Sequence, residues 1–153
     1  MKIANQDAPG KTLLIVEDDV LPAMALRDEF EDAGYHVMDL TARHQEALSA
    51  ARARKPDFAL VNIELQGRDD GIALAEELKA MDVPVLFISG QKSRASSART
   101  AACGSLPKPY RPIDVVHAVE YLQRHLQGDE SLAPPPGLEV FDAPPDASLP
   151  DAA

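Results

Sequence analysis

Three acids in a row, Glu17, Asp18 and Asp19, close an apolar run at Thr12-Leu13-Leu14-Ile15-Val16. Asn62 closes a second run, Phe58-Ala59-Leu60-Val61, and Ser89 a third, Val83-Pro84-Val85-Leu86-Phe87-Ile88. Lys108 follows a fourth, Gly104-Ser105-Leu106, and is held between Pro107 and Pro109. Paired carboxylates suit Mg²⁺, which keeps several waters and binds phosphate oxygens. A lysine and a hydroxyl opposite such an ion suit the other oxygens of a phosphoryl group. Taken singly these residues are ordinary. An acidic triplet is usually a capped helix start, and a strand-end serine needs no explanation. The set gains meaning only if the fold brings its members together.

The elements that would do so are legible as apolar periodicity. Phe58 to Val61 is an unbroken run opened by Pro56 and closed by a turn at Gly67, the pattern of a fully buried central strand. Strands are expected at residues 12–16, 35–40, 58–61, 83–88 and 104–106. Helices are expected between them. The first, over 20–33, carries Ala23, Leu26, Phe30 and Ala33 at helical spacing, with Asp19 as N-cap and Gly34 as stop. Thr41 caps a second helix to about 54, with Ala47, Leu48 and Ala51 inward. A third follows Asp70, with Ile72, Ala75, Leu78 and Met81 buried. Between 91 and 102 serines replace large apolar anchors, which predicts a short or loose helix. Pro112 opens the last helix, with Val115, Val119, Leu122 and Leu126 buried. Five βα units with right-handed crossovers make one α/β doubly wound parallel sheet, and the flavodoxin-like strand order 2-1-3-4-5 suits them. In that order strands 1, 3, 4 and 5 are neighbours. Their carboxyl ends, where ligands bind in open α/β sheets, carry Glu17, Asp18, Asn62, Ser89 and Lys108.

Composition bounds the rest. The 153 residues have a formal net charge of −10, which argues against nucleic acid as a direct partner. The single cysteine, Cys103, excludes an internal disulfide and suits a reducing, cytoplasmic compartment. No apolar run approaches membrane-spanning length. Residues 1–10 read as a flexible N-terminus, 11–127 as the domain, and 128–153 as a Pro-rich acidic tail. The tail holds six prolines, six acids and no Lys or Arg, a composition expected to stay disordered. His117, Tyr121 and His125 lie four apart on the last helix, off its expected buried stripe, and offer no third ligand for a metal. They form either a solvated face or a partner and homodimer face. Lys92, Arg94 and Arg99 read as surface charge.

The segments Leu-Leu-Ile-Val-Glu-Asp-Asp, Pro-Asp-Phe-Ala-Leu-Val-Asn, Val-Pro-Val-Leu-Phe-Ile-Ser and Leu-Pro-Lys-Pro-Tyr, in this order, resemble the receiver domain of bacterial two-component response regulators over residues 11–127. The resemblance implies a phosphorelay module that meets a sensor histidine kinase or phosphotransfer protein. It implies that Asp18 ligates Mg²⁺, that Glu17 acts through water, and that Glu64 gives its backbone carbonyl to the metal. It further implies that Ser89 and Lys108 hold the phosphoryl group, with a cis peptide at Lys108-Pro109. The chain departs from the family at three places. Asn62 stands where the family has the phosphoacceptor aspartate. Ser105 stands at the aromatic switch position that pairs with Ser89. The segment after Ser89 is short by roughly one helical turn. A carboxamide is a poor nucleophile and removes a charge from the metal site, so Mg²⁺ should bind weakly and acyl phosphate should not form. Glu64 as a substitute acceptor carries little weight, being a loop acid. Three functions stay open. One is a single-domain pseudo-receiver that acts by protein contact. Another is a Mg²⁺-dependent phosphoacceptor whose aspartate has been replaced. The third is a small Mg²⁺-dependent phosphohydrolase.

Overall fold

A computed structural model describes residues 11–65 and 70–141. The expected Gly67 turn, the N-terminus over 1–10 and the tail over 142–153 lie outside them. Six strands form one sheet in the order β2-β1-β3-β4-β5-β6. They are β1 (Thr12–Val16), β2 (His36–Val37), β3 (Phe58–Asn62), β4 (Val85–Ser89), β5 (Gly104–Pro107) and β6 (Glu139–Val140). The first five are parallel, as expected from the βα alternation. The helices are α1 (Val20–Asp32), α2 (His44–Ala53), α3 (Gly71–Ala80), α4 (Lys92–Ser97) and α5 (Pro112–Leu126).

The period-2 alternation of strand side chains divides the core in two. Leu14, Val16, Ala59, Val61, Val85 and Phe87 point to one side and pack with Ala47, Leu48, Leu74 and Leu78 of α2 and α3. Leu13, Ile15, Phe58, Leu60, Leu86 and Ile88 point to the other and pack with Leu26, Phe30, Val115, Val119 and Leu122 of α1 and α5. Both faces of β1, β3 and β4 are therefore buried, which is why these strands read as continuous apolar runs. Gly34 (φ 97°) and Gly128 (φ 83°) follow α1 and α5 in the left-handed conformation that ends helices. Among the described residues no helix is long and apolar enough to cross a membrane.

Several sequence expectations are corrected. The second strand pairs over only two residues, continued by a lone bridge from Thr41 to Val16. Thr41 does not cap α2; its hydroxyl donates to the Ile15 carbonyl, and Arg43 is the residue before the helix. Asp19 precedes α1 without a side-chain cap bond; its own N–H donates to Glu17 Oε2 at 3.0 Å. Leu126 is 55% exposed at the end of α5, whereas Tyr121 is buried at 8%.

The chain beyond Gly128 also differs from the expected tail. Glu139–Val140 adds an antiparallel sixth strand to the edge of β5. The N–H of Phe141 donates to the Cys103 carbonyl at 2.8 Å, and its ring lies buried under the Arg99 guanidinium. Gly104 admits this strand: a Cβ there would meet the Glu139 carbonyl oxygen at 2.6 Å. Leu138 and Val140 pack against the core cluster on the α1 and α5 side of the sheet. A strand edge offers unpaired N–H and C=O groups, and two extended residues satisfy them despite an acidic, Pro-rich setting. Phe141→Ala should cost about 3 kcal/mol, read as a lower urea midpoint. An unchanged midpoint would show that residues 129–141 do not pack on the sheet.

Candidate functional site

The parallel register brings the strand ends level. Val16 pairs with Val61, Asn62 with Ile88, and Ser89 with Pro107. Residues one or two positions past these pairs emerge at one rim, and Asn62 is the centre of what forms there. It is 3% exposed. Its position is fixed from behind by α3, because the chain turns back so closely that a Cβ on Gly71 would lie 2.3 Å from the Asn62 carbonyl oxygen. The Gly71 N–H donates to Ile63, and Asp70 caps the helix through Ile72 N–H at 2.9 Å.

The side-chain amide of Asn62 is bonded on both ends. Its nitrogen donates toward Glu17 Oε2 at 3.2 Å, Asp18 Oδ1 at 3.3 Å and the Glu64 carbonyl at 3.2 Å. Its oxygen accepts from Lys108 Nζ at 3.2 Å and from the Glu64 N–H at 3.3 Å. Electrostatics dictates which end is which. The reversed amide would set its oxygen against two carboxylates and a carbonyl, and its NH₂ group against an ammonium. Two N–H bonds shared among three acceptors keep each contact at the long end of the hydrogen-bond range. The partial positive charge of the amide nitrogen thus lies where the acidic rim concentrates negative potential.

Glu17, Asp18 and the Glu64 carbonyl are the hard oxygen donors that Mg²⁺ takes. A cation entering among them must first turn the Asn62 amide, which would face its NH₂ group toward Lys108. As arranged, the set does not fit the ion. Among the described residues no group of three or more His, Cys, Asp or Glu side chains is placed to hold a metal.

Burial pushes the Glu17 carboxyl above its ordinary value, against the opposing pull of the Asp19 N–H and the charge of Lys108. Burial likewise pushes Tyr110, at the flank of the rim, up to about 12, with Glu17 and Asp19 adding to the effect. Lys108 and Pro109 are joined by a cis peptide. Ser89 is buried and accepts from the Gln91 N–H at 2.8 Å. Its hydroxyl points at the Glu64 carboxylate, 2.8 Å away. Glu64 was expected to contribute only its backbone carbonyl, so its side chain is the functional group that sequence reasoning missed. The strand ends at Asn62 as expected, so Glu64 is a loop acid, and no local pattern signals that its carboxylate turns to Ser89.

Ser105 lies lower on β5, buried opposite Phe87 and Glu139. It shares with Ser89, Ala95, Gly137 and Glu139 a cavity of about 100 Å³. Of the residues on α5, Tyr121 is buried and stacks on His125, ring centroids 5.7 Å apart. His125 in turn meets Glu130 at 2.8 Å. Of the three, only His117 is exposed; His125 is half-buried and Tyr121 buried, so the expected face of three exposed side chains does not form. The helix after Ser89 is short, six residues, as its serine-rich sequence implied.

The family model for the response regulator receiver domain matches residues 13–120. The chain is 31% identical over 117 residues to the transcriptional regulatory protein PdtaR of Mycobacterium tuberculosis, a match covering 74% of this chain and 57% of PdtaR. It thus spans little more than half the length of that relative. It is 28% identical over 120 residues to the chemotaxis protein CheY of Thermotoga maritima, covering 75% of this chain and 99% of CheY. The signal receiver domain of a modulated diguanylate cyclase from Desulfovibrio desulfuricans superimposes with a TM-score of 0.67 at 32% identity, over 76% of this chain and 97% of that one.

Two results follow for the rim. Asn62→Asp adds a third carboxylate and removes the amide donor, so the variant should lose about 2 kcal/mol in EDTA, a fall of roughly 5–10 °C in melting temperature. Millimolar Mg²⁺ should restore most of it while leaving the natural chain unmoved. Equal Mg²⁺ responses in both would contradict the geometry. The second concerns Glu17. A carboxyl whose value is raised on folding contributes stability below its unfolded value of 4.5 and loses it as pH climbs through the folded one. Its Oε2 accepts both from Asn62 and from Asp19, so a glutamine oxygen keeps both bonds. Glu17→Gln should melt higher than the natural chain at neutral pH, and the gain should vanish below pH 4.5. A gain of the same size at both pH values would rule out ionisation as its source.

Proposed function

The chain belongs to the response regulator receiver family, and we propose that it is a pseudo-receiver, a two-component signalling module that works by protein contact without carrying a phosphoryl group. The observation that carries this reading is the Asn62 nitrogen among the oxygens of Glu17, Asp18 and Glu64. Receiver domains bind Mg²⁺ at their phosphorylation site, where the ion neutralises the oxygens of the transferring group. Here a neutral amide stands at the acceptor position, and its N–H groups reach the oxygens that a cation would otherwise hold. A carboxamide oxygen is too weak a nucleophile to attack phosphorus, and this one is already held by Lys108. The hydrogen bonds of the amide hold these oxygens and the Lys108 ammonium together with no modification.

A specific observation also keeps the second reading in play. Glu17, Asp18 and Lys108 are hydrogen-bonded to the Asn62 amide, which favours a site that an aspartate at that position could use. Receiver domains are signalling modules rather than enzymes, and the phosphohydrolase alternative is set aside.

The partner we propose is a histidine kinase or phosphotransfer protein, met in the cytoplasm. The surface that favours such contact is not α5 but the start of α1, where Val20, Leu21 and Met24 are exposed beside the rim, Leu21 at 76%. Adjacent apolar side chains flanked by acids mark a contact surface better than scattered ones. Pro22 and Tyr110 line a hollow between this patch and Lys108.

Incubation with acetyl phosphate and Mg²⁺, read by intact mass, tests the chemistry. The natural chain should gain no phosphoryl group, and stoichiometric phosphorylation of it would overturn the reading. Leu21→Asp should weaken binding to the phosphotransfer partner about tenfold by calorimetry; an unchanged affinity would remove α1 from the contact surface.

A further inference from the structure

At the end of the sheet away from Asn62, where β4 and β5 begin, the surface opens into a hollow of about 740 Å³. Its origin lies in the chain between those strands. The short α4 stops at Ser97, and Ala98-Arg99-Thr100-Ala101-Ala102 then turns toward β5, closed by the Ala101 N–H donating to the Ala98 carbonyl at 2.9 Å. Alanines fill little of the space between the last turns of α3 and α5. Val83, Val85 and Phe141 give the hollow a buried apolar wall, and Leu126, 55% exposed, carries that wall to the surface. Small-molecule sites are hollows of this kind, roughly 300–1,000 Å³, mostly apolar, with a few polar groups.

The charges beside it have one sign. The chain holds 25 acids, yet among the described residues none lines the hollow. Arg99 and Lys79 do. The Arg99 guanidinium lies 5.5 Å from the centroid of the Phe141 ring, a contact that uses its charge and none of its N–H donors. No described residue accepts from those donors. Lys79 Nζ donates to the Thr100 carbonyl and keeps two more donors. Neither cation is paired with a carboxylate among the described residues, although the chain as a whole is strongly acidic.

We propose that this hollow binds a small organic carboxylate with an apolar body. The body lies against Val83, Val85 and Leu126, and the carboxylate meets Arg99 and Lys79. A guanidinium fork matches two carboxylate oxygens, and an ammonium adds a point charge without fixed direction. Apolar walls alone would accept any greasy molecule. The two cations select the anion over an alcohol or an ammonium of the same length. Because β4 runs its full length between the hollow and Ser89, occupancy leaves the Asn62 amide and its partners untouched.

Titration of the full chain with decanoate, followed by the ¹⁵N amide shifts of Ala101, Ala102 and Cys103, tests it. Decanoate should move these signals saturably and leave that of Asn62 in place. Decanol, equal in length but uncharged, should bind about tenfold more weakly, and decylammonium should not bind. Arg99→Gln should bring decanoate down to the level of decanol with decanol itself unchanged, a split that loss of folding would not give. Leu126→Asp, at an exposed position, sets an acid at the mouth and should weaken decanoate more than decanol. Equal affinity for decanoate and decanol would overturn the proposal. So would the absence of saturable shifts at 101–103, or decanoate binding that Arg99→Gln leaves as it was. Binding seen only when Asp142→Asn, Asp146→Asn and Asp151→Asn are combined would also overturn it, because the hollow would then belong to the chain's own segment after Phe141. None of these outcomes bears on phosphorylation by acetyl phosphate, so this proposal and the pseudo-receiver reading can fail separately.

Discussion

The rim depends on one amide group. Two carboxylates and a carbonyl converge at the ends of β1 and β3, and without a cation their mutual repulsion would open the site. The Asn62 nitrogen lies among them and its oxygen faces Lys108. One neutral dipole thus satisfies an acidic cluster on one side and an ammonium on the other. Its contacts are individually long and weak, but they are made in a buried place where leaving any of these groups unpaired is costly. A carboxylate at this position would break the balance and call for a metal ion to restore it.

The sheet supplies the precision. Strand ends stay level only if β1, β3 and β4 keep their register, and each is locked by apolar side chains on both faces. The close passage of Gly71 under Asn62 fixes the depth of the amide, and the Glu64 segment bridges from β3 to the β4 turn. At the far edge the added strand covers β5 with the chain's own backbone. Ser96 of α4 donates to Glu139 at 2.9 Å, so the short helix, the fifth strand and the C-terminal segment are joined. A cavity separates Ser89 from Ser105 where a larger side chain at 105 would reach. This edge of the sheet is thereby built from small residues and the added strand.

The central strands, the helix order and the convergence of Asp18, Asn62 and Lys108 were legible because burial on both faces writes itself into sequence as unbroken apolar runs. What was not legible depends on tertiary partners. Tyr121 looked exposed from its helical position and is buried, stacked on His125, and the chain after Gly128, whose composition resembled a tail, adds a strand to β5. Two residues, Glu139 and Val140, were too few for any alternation to show. Thr41 has the side chain of a helix cap, but its hydroxyl found a nearer carbonyl in β1. Glu64 was legible as an acid near the site. That its carboxylate would turn to Ser89 rather than to solvent depends on the path of the chain after β3, which no local pattern specifies.

The most direct test of the amide's role is the exchange of its own protons. In ¹⁵N-labelled protein the Asn62 side-chain NH₂ should give two resolved signals that exchange slowly with water and stay in place through a millimolar Mg²⁺ titration. Rapid exchange, or loss of both signals as Mg²⁺ is added, would mean that the nitrogen is not lodged among the oxygens and that the rim is an open cation site.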